Sequence, residues 1–162
     1  MAKTATTKQP APDVGCRLMQ VTSKAFVEEA LIPIKYTCDG KNVNPPLDIG
    51  GIPPDAVSLV IIAEDPDATG GTWTHWLLWN LPVDPHIGEG ERGGIAGTND
   101  FGKTRYGGPC PPKGRTHRYL FKVYALDTLL ELPDGARKTL VERAMAGNII
   151  GFGMLTGVYA RQ

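Results

Sequence analysis

The residues of this 162-residue chain whose types and spacing could do chemistry are two histidines, an Asp-Pro-Asp turn and a Gly-Pro segment. Asp65 opens the loop DPDATGGTW, residues 65–73, and His75 follows two positions later. His117 closes the segment YGGPCPPKGRTH, residues 106–117, and Tyr119 comes just after it. An imidazole beside a carboxylate can hold a proton, bind an anion when charged, activate water or ligate a metal. Gly107 and Gly108 permit unusual backbone angles and can turn their amides toward an anion, while Pro109, Pro111 and Pro112 stiffen the turn.

These side chains need strands to bring them together. The run SLVIIAE, Ser58 to Glu64, is nearly all apolar and rich in β-branched residues, as in a buried central strand. THWLLWNL, Thr74 to Leu81, reads as a second strand. The nine-residue loop between them is too short for a parallel crossover, so the pair should be antiparallel, with Asp65 and His75 at one end. Strict alternation puts Asp65 on the face of Leu59, Ile61 and Ala63, and His75 on the face of Leu77, Trp79 and Leu81. A carboxylate on a core face requires a partner, and His75 is the nearest candidate. A third strand, His117 to Leu126, turns His117, Tyr119, Phe121, Val123 and Ala125 inward. Asp65, His75, His117, Tyr119 and the Gly-Pro loop are thus expected at one end of a sandwich. Trp73 is placed to wall such a pocket, Trp79 reads as core, and His86 in VDPHIGEG reads as surface.

The rest of the chain supplies the frame. Gly 20 and Pro 14 make up about a fifth of the residues, against a usual ~12%, which favours many turns and a mainly β fold. Residues 1–15 are Thr-, Lys- and Pro-rich and read as a flexible tail, leaving 16–162 as a single domain. Cys16 to Val21 and Ile34 to Thr37 read as short strands, and Ser23 to Ala30 as a helical turn or loop. Residues 82–116 hold nine glycines and no readable period; such a stretch is a functional loop or conceals short strands. Ala136 to Ala146 reads as a helix capped by Asp134 and ended by Gly147, with Leu140, Val141, Ala144 and Met145 as its apolar stripe. Ile149 to Ala160 alternates as a last strand whose Gly151, Gly153 and Gly157 allow close packing.

Charge and cysteine content narrow the function. Lys+Arg and Asp+Glu are both 17, so no net field draws the chain to nucleic acid or an anionic membrane. No window approaches the ~20 apolar residues of a membrane span, and the start lacks the apolar region of a signal peptide, so a cytoplasmic protein is expected. Cys16, Cys38 and Cys110 form neither a disulfide framework nor a zinc motif.

At this point the motifs DPDA…WTHWLLWNLP and GGPCPPKGRTHRYLFKVYALD are seen together, in this order. They resemble the two signature regions of the phosphatidylethanolamine-binding protein family. YTCDGKNVNPPLDIGGIPP and GTNDFGKTRYGG are similar to its prokaryotic, Raf-kinase-inhibitor-like branch, and the likeness runs from about Arg17 to Arg161. The resemblance implies an antiparallel β-sandwich with one or two short helices. It also implies a pocket for phosphate or a phospholipid head group, lined by Asp65, Asp67, Trp73, His75, Gly108, Cys110, Pro111, Pro112, His117 and Tyr119. It further implies a homodimer without cofactor that modulates or inhibits a protein partner such as a kinase or a protease. Cys38 and Cys110 lie in family-like segments near the pocket rim, where a disulfide between them is open, since cytosolic thiols are usually reduced.

Three functions are compatible with these residues. A binding module would hold an anion on the histidines, loop amides and Tyr119. A hydrolase would use Asp65, His75 and His117, with or without a metal. A protein inhibitor would act through the Gly-rich segment. The first and third agree with each other and are favoured, because no serine lies near either histidine in sequence and Cys110 sits between prolines.

Overall fold

The computed structural model describes residues 15–161. The proposed tail, residues 1–15, lies outside them except for Gly15. The strands are β1 (Arg17–Leu18), β2 (Gln20–Thr22), β3 (Leu47–Gly50), β4 (Ser58–Asp65), β5 (Trp73–Leu81), β6 (His86–Ile87), β7 (Ile95–Ala96), β8 (Thr116–Leu126) and β9 (Ile149–Ala160), with helix α1 (Lys138–Met145) before the last. They build a six-stranded sheet, ordered β1-β9-β8-β4-β5-β7, and a three-stranded sheet, ordered β2-β3-β6. All pairings are antiparallel except β1 with β9. The fold is mainly β, as expected.

Each face of the large sheet has its own core. On one, Leu59, Ile61 and Ala63 of β4 and Tyr119, Phe121, Val123 and Ala125 of β8 pack against Val21, Leu47, Ile49 and Ile87 of the small sheet. On the other, Val60, Ile62, Leu77, Trp79 and Tyr124 pack against Val141 and Met145 of α1. β4 is therefore covered on both sides, and all eight of its residues are buried, which is why its sequence reads as a continuous apolar run. The glycines of β9 face the small sheet. A Cβ at Gly153 would stand 2.6 Å from the Met19 carbonyl, and one at Gly157 would stand 2.5 Å from Ile32 Cγ1. The close packing expected of that strand is there.

Several local expectations need correction. Cys16 to Val21 is two strands: the chain leaves the large sheet after Leu18, buries Met19, and joins the small sheet at Gln20. Ile34–Tyr36 is a 3-10 turn rather than a strand, because Pro33 starts it and the Thr37 amide and hydroxyl both donate to the Ile34 carbonyl. Asp134 does not cap α1; it lies in a turn closed by Ala136 N–H on Pro133 O, and Arg137 holds the cap position. Leu140 of the expected apolar stripe is exposed, whereas Val141 and Met145 are fully buried. Residues 82–116 conceal β6 and β7, each too short to show a period.

Candidate functional site

His75 reaches the site through an irregularity of the sheet. The β4–β5 ladder pairs Glu64 with Thr74 and Ala63 with Trp76, leaving His75 as the extra residue of a bulge. Strict alternation therefore fails at this point. Leu77 and Trp79 belong to the helix-side core, while His75 lines a cavity on the other face with Asp65 and Tyr119. The bulged residue is tied to the Gly-Pro loop twice. Gly107 N–H donates to the His75 carbonyl at 3.0 Å, and the His75 ring bonds the Gly107 carbonyl through Nδ1 at 2.6 Å. A carbonyl only accepts, so Nδ1 carries the proton and Nε2 keeps its lone pair. Burial holds the His75 pKa below its ordinary 6.5, against the opposing pull of the Gly107 carbonyl and the Asp65 charge.

Asp65 pairs with His117, not with His75. In the order β8-β4-β5 the carboxylate stands between the two rings, but His75 Nδ1 is already committed to Gly107. Asp65 Oδ2 accepts from His117 Nδ1 at 2.7 Å, and Oδ1 accepts the Asp67 amide at 2.7 Å. Both side chains of the pair are buried. His117, like His75, thus has its Nδ1–H fixed and its Nε2 uncommitted. Tyr119, two residues along β8, sets its ring edge-on to His75 at 5.3 Å. Its hydroxyl is buried and makes no hydrogen bond of normal geometry. Burial and the nearby Asp65 charge push the phenol pKa up, so it stays an O–H donor.

These groups line a cavity of about 260 Å³ at the end of the large sheet. Of the ten expected residues, Asp65, Trp73, His75, Cys110, Pro111, Pro112, His117 and Tyr119 come together there. Ala68, Thr69 and Phe101 complete it. Phe101 packs edge-on against His75 at 5.2 Å and Trp73 at 5.6 Å. The only signal for it in the sequence was a single phenylalanine inside the Gly-rich stretch.

Two expected residues do not line the cavity. Asp67 turns to Arg118, accepting its backbone N–H, Nε and Nη2, and that guanidinium holds the carboxyl at about 2. Gly108 lines an adjoining cavity, and its amide donates to Asn42 Oδ1 at 2.7 Å. A Cβ at Gly108 would lie 2.4 Å from the Tyr36 carbonyl, so packing alone demands glycine. With the Gly107 amide on His75 and the Gly108 amide on Asn42, neither is left to form the anion nest that the Gly-Gly pair suggested. Cys110 forms a disulfide with Cys38, resolving a question the sequence left open. Among the described residues, no cluster of three or more His, Cys, Asp and Glu side chains could hold a metal ion.

The opposite face of the sheet carries a different cluster one residue away. Glu64 accepts from the ammonium groups of Lys122 on β8 and Lys138 at the start of α1, and Lys138 also lies near Glu142. The two ammonium groups hold the Glu64 carboxyl below its ordinary value although burial pushes the other way.

A family model for the phosphatidylethanolamine-binding protein matches residues 22–160. A UPF0098 protein of Pyrococcus abyssi is 51% identical over 91% of this chain and 89% of its own length. Another, from Methanothermobacter thermautotrophicus, is 45% identical over 88% of this chain and 99% of its own. Among solved structures, a putative phosphatidylethanolamine-binding protein homologue from Chlamydia trachomatis superposes with a TM-score of 0.85 at 39% identity, covering 92% of this chain and 100% of that one. E. coli YbcL, described as a new member of the mammalian family, gives 0.81 at 32% identity over 89% and 99%. No helix among the described residues is long and apolar enough to cross a membrane. The chain belongs to the phosphatidylethanolamine-binding protein family.

Proposed function

From membership in that family and from the geometry of the cavity, we propose that this protein binds a small phosphate-type anion between His75, His117 and Tyr119. The bound anion would bias its interaction with a protein partner such as a kinase or a protease. One observation carries the reading: the Tyr119 hydroxyl is buried, lines the cavity and makes no hydrogen bond of normal geometry, with only Asp65 and the Cys110 backbone nearby. A buried polar group is ordinarily satisfied, so an orphaned donor facing a cavity calls for an acceptor from outside. The two rings supply the remaining contacts. Each has its Nδ1–H anchored, one on Gly107 and one on Asp65, so each offers Nε2 to a ligand. Protonated Nε2–H donates to an anionic oxygen, and the anion stabilises the added charge. At His75, whose burial disfavours the charged form in the free protein, binding therefore takes up a proton.

The lining favours binding over turnover. No serine is among the described residues lining the cavity, and the one cysteine there is in the disulfide. Pro111 and Pro112 hold the wall in place without offering a donor. The glycine-rich stretch 82–116 contributes Phe101, Cys110, Pro111 and Pro112 to this wall, and in this reading it is the surface offered to a partner.

Isothermal titration of inorganic phosphate against the full chain tests the site. The expected affinity lies in the ~mM to ~μM range, about −4 to −8 kcal/mol. Tyr119→Phe should weaken binding while the fold is retained. His86→Ala should leave it unchanged, because His86 sits on the exposed β6 edge paired with Asp48. Equal affinity in all three proteins would remove the site.

A further inference from the structure

The Cys38–Cys110 disulfide occupies a position that links it to the cavity. Phe101 and Cys110 are the residues lining both the His75–His117 cavity and the one beside it, so they form the partition between the two. Cys110 is exposed and Cys38 half-buried, so Cys110 is the half of the bridge more open to an approaching thiol. The bridge joins two segments far apart in sequence, with a separation of 72 residues. One is the turn after Pro33; the other is the loop whose Gly107 carbonyl fixes the His75 ring. Non-covalent bonds join the same two segments: Cys38 N–H to Pro109 O at 3.1 Å, Gly108 N–H to Asn42 Oδ1 at 2.7 Å, and the Tyr106 hydroxyl to Tyr36 O at 2.8 Å.

We propose that Cys38–Cys110 is a reversible thiol-exchange site that regulates the neighbouring cavity, which is held in its binding geometry when the bridge is closed and loosened when it is open. The proposal rests on the anion-binding reading for its functional consequence. Its chemistry is that of exposed disulfides, which are the labile ones. A thiolate of a dithiol reductant attacks Cys110 Sγ, the Cys38–Cys110 bond breaks, and Cys38 leaves as a thiolate that takes a proton. The reductant's second thiolate then attacks its own sulfur in the mixed disulfide. Cys110 is released as a thiolate and protonated, and the dithiol departs as a cyclic disulfide. The protein gains two electrons and two protons, and the reductant loses the same. The non-covalent bonds keep the two thiols adjacent, so a small-molecule disulfide can close the bridge again by exchange, being itself reduced to two thiols. An open bridge leaves residues 107–110 with more conformations to lose on binding, which weakens the ligand without changing any contact in the bound state.

The test compares the oxidised full chain, the same protein after dithiothreitol, the protein reoxidised, and the Cys38→Ser/Cys110→Ser double variant. Alkylation and peptide mass spectrometry report the bridge. Two readouts are followed: inorganic phosphate affinity and the titration of the His75 ring by NMR. Opening the bridge should weaken phosphate by about tenfold. It should also move the His75 midpoint upward toward the ordinary value as the ring leaves its buried place. Reoxidation should restore both, and the double variant should resemble the reduced protein. Unchanged affinity and an unmoved His75 in the reduced protein would overturn the proposal. If the oxidised protein binds no phosphate at millimolar concentration, the binding reading falls. The His75 titration then decides the switch alone: a reversible shift supports it, and none overturns it.

Discussion

Glu64 and Asp65 are neighbours on β4, both buried, yet their side chains meet opposite fates. Glu64 points to the helix side and is saturated by two lysine ammonium groups. Asp65 points to the other side and is engaged by one imidazole and one amide, beside a cavity with an orphaned hydroxyl and two uncommitted ring nitrogens. The sheet thus places a closed ionic cluster and an open polar site back to back. On the helix side the charges are paired with one another and hold α1 against the sheet, although they too line a cavity, of about 230 Å³. Where the list of partners is incomplete, the shortfall faces space a ligand can enter. Substitutions on the two sides should therefore separate cleanly into stability and binding.

The largest effect is expected on the closed side. Glu64→Gln leaves Lys122, itself buried, without its counter-charge. Breaking a buried pair by removing one partner should cost ~3 kcal/mol, read from urea unfolding at neutral pH. Phosphate affinity of the folded variant should stay within about twofold of the parent. The parent should also show an acid leg. The folded Glu64 pKa lies below the 4.5 of a free glutamate, so its stabilisation is complete above 4.5 and lost as pH falls through the lower, folded value. A variant as stable as the parent would show that the triad is only a surface decoration.

On the open side the next largest effect is pH dependence of binding. If the anion draws a proton onto His75, affinity should rise as pH falls, by up to ~tenfold per unit where one proton is taken up. Burial depresses His75 in the free protein, so its share of the rise levels off only on the acid side of 6.5. Phosphate titrations from pH 8 to 5 measure it. A flat profile would mean that His75 takes up no proton on binding, and the anion would have to be held without that change of charge.

Tyr119→Phe should produce a smaller but more diagnostic change. It removes a buried hydroxyl that makes no hydrogen bond of normal geometry in the free protein, so stability should hold or rise slightly, by up to ~1 kcal/mol. Phosphate affinity should fall by a factor of roughly 2 to 10, the worth of one hydrogen bond. Loss of stability together with unchanged affinity would reverse the assignment and make the hydroxyl a structural group.

How much of this could be read beforehand depends on the kind of residue. β4 was legible because a strand covered on both faces must be apolar throughout, and SLVIIAE is nearly so. The convergence of Asp65, His117 and Tyr119 was legible too, since alternation along β4 and β8 holds without interruption up to the cavity. His75 was placed at the correct end and pointing inward, but on one face with Leu77 and Trp79, because the bulge that separates it from them exists only when β5 is paired with β4. Its partner was misassigned for a similar reason: Gly107, 32 positions away, claims Nδ1 first. The Gly-Gly amides looked available in sequence, and only tertiary contact reveals that His75 and Asn42 already hold them. β6 and β7 were hidden by their length, since two residues carry no period.

The smallest effect is expected at Asp67, which sequence motifs group with the cavity and the structure turns away from it. Its carboxylate accepts three donors from Arg118, whose guanidinium is more than half exposed. Solvent screening limits such a pair, so Asp67→Asn should cost less than ~1 kcal/mol at neutral pH. The amide of residue 67 still reaches Asp65 Oδ1 in the variant, so phosphate affinity should change by less than about twofold. The difference should show in acid. Because the folded carboxyl is held at about 2 against an ordinary 3.8, its contribution is present above 3.8 and fades as pH falls toward 2. Urea unfolding of parent and variant between pH 5 and 2 should therefore draw together toward the acid end, where the Asp67 carboxyl is losing its charge. A large loss of phosphate affinity in Asp67→Asn, tenfold or more, would place the Asp67–Arg118 clasp inside the binding machinery. The line drawn between the open site and its satisfied surroundings would then have to move outward to include it.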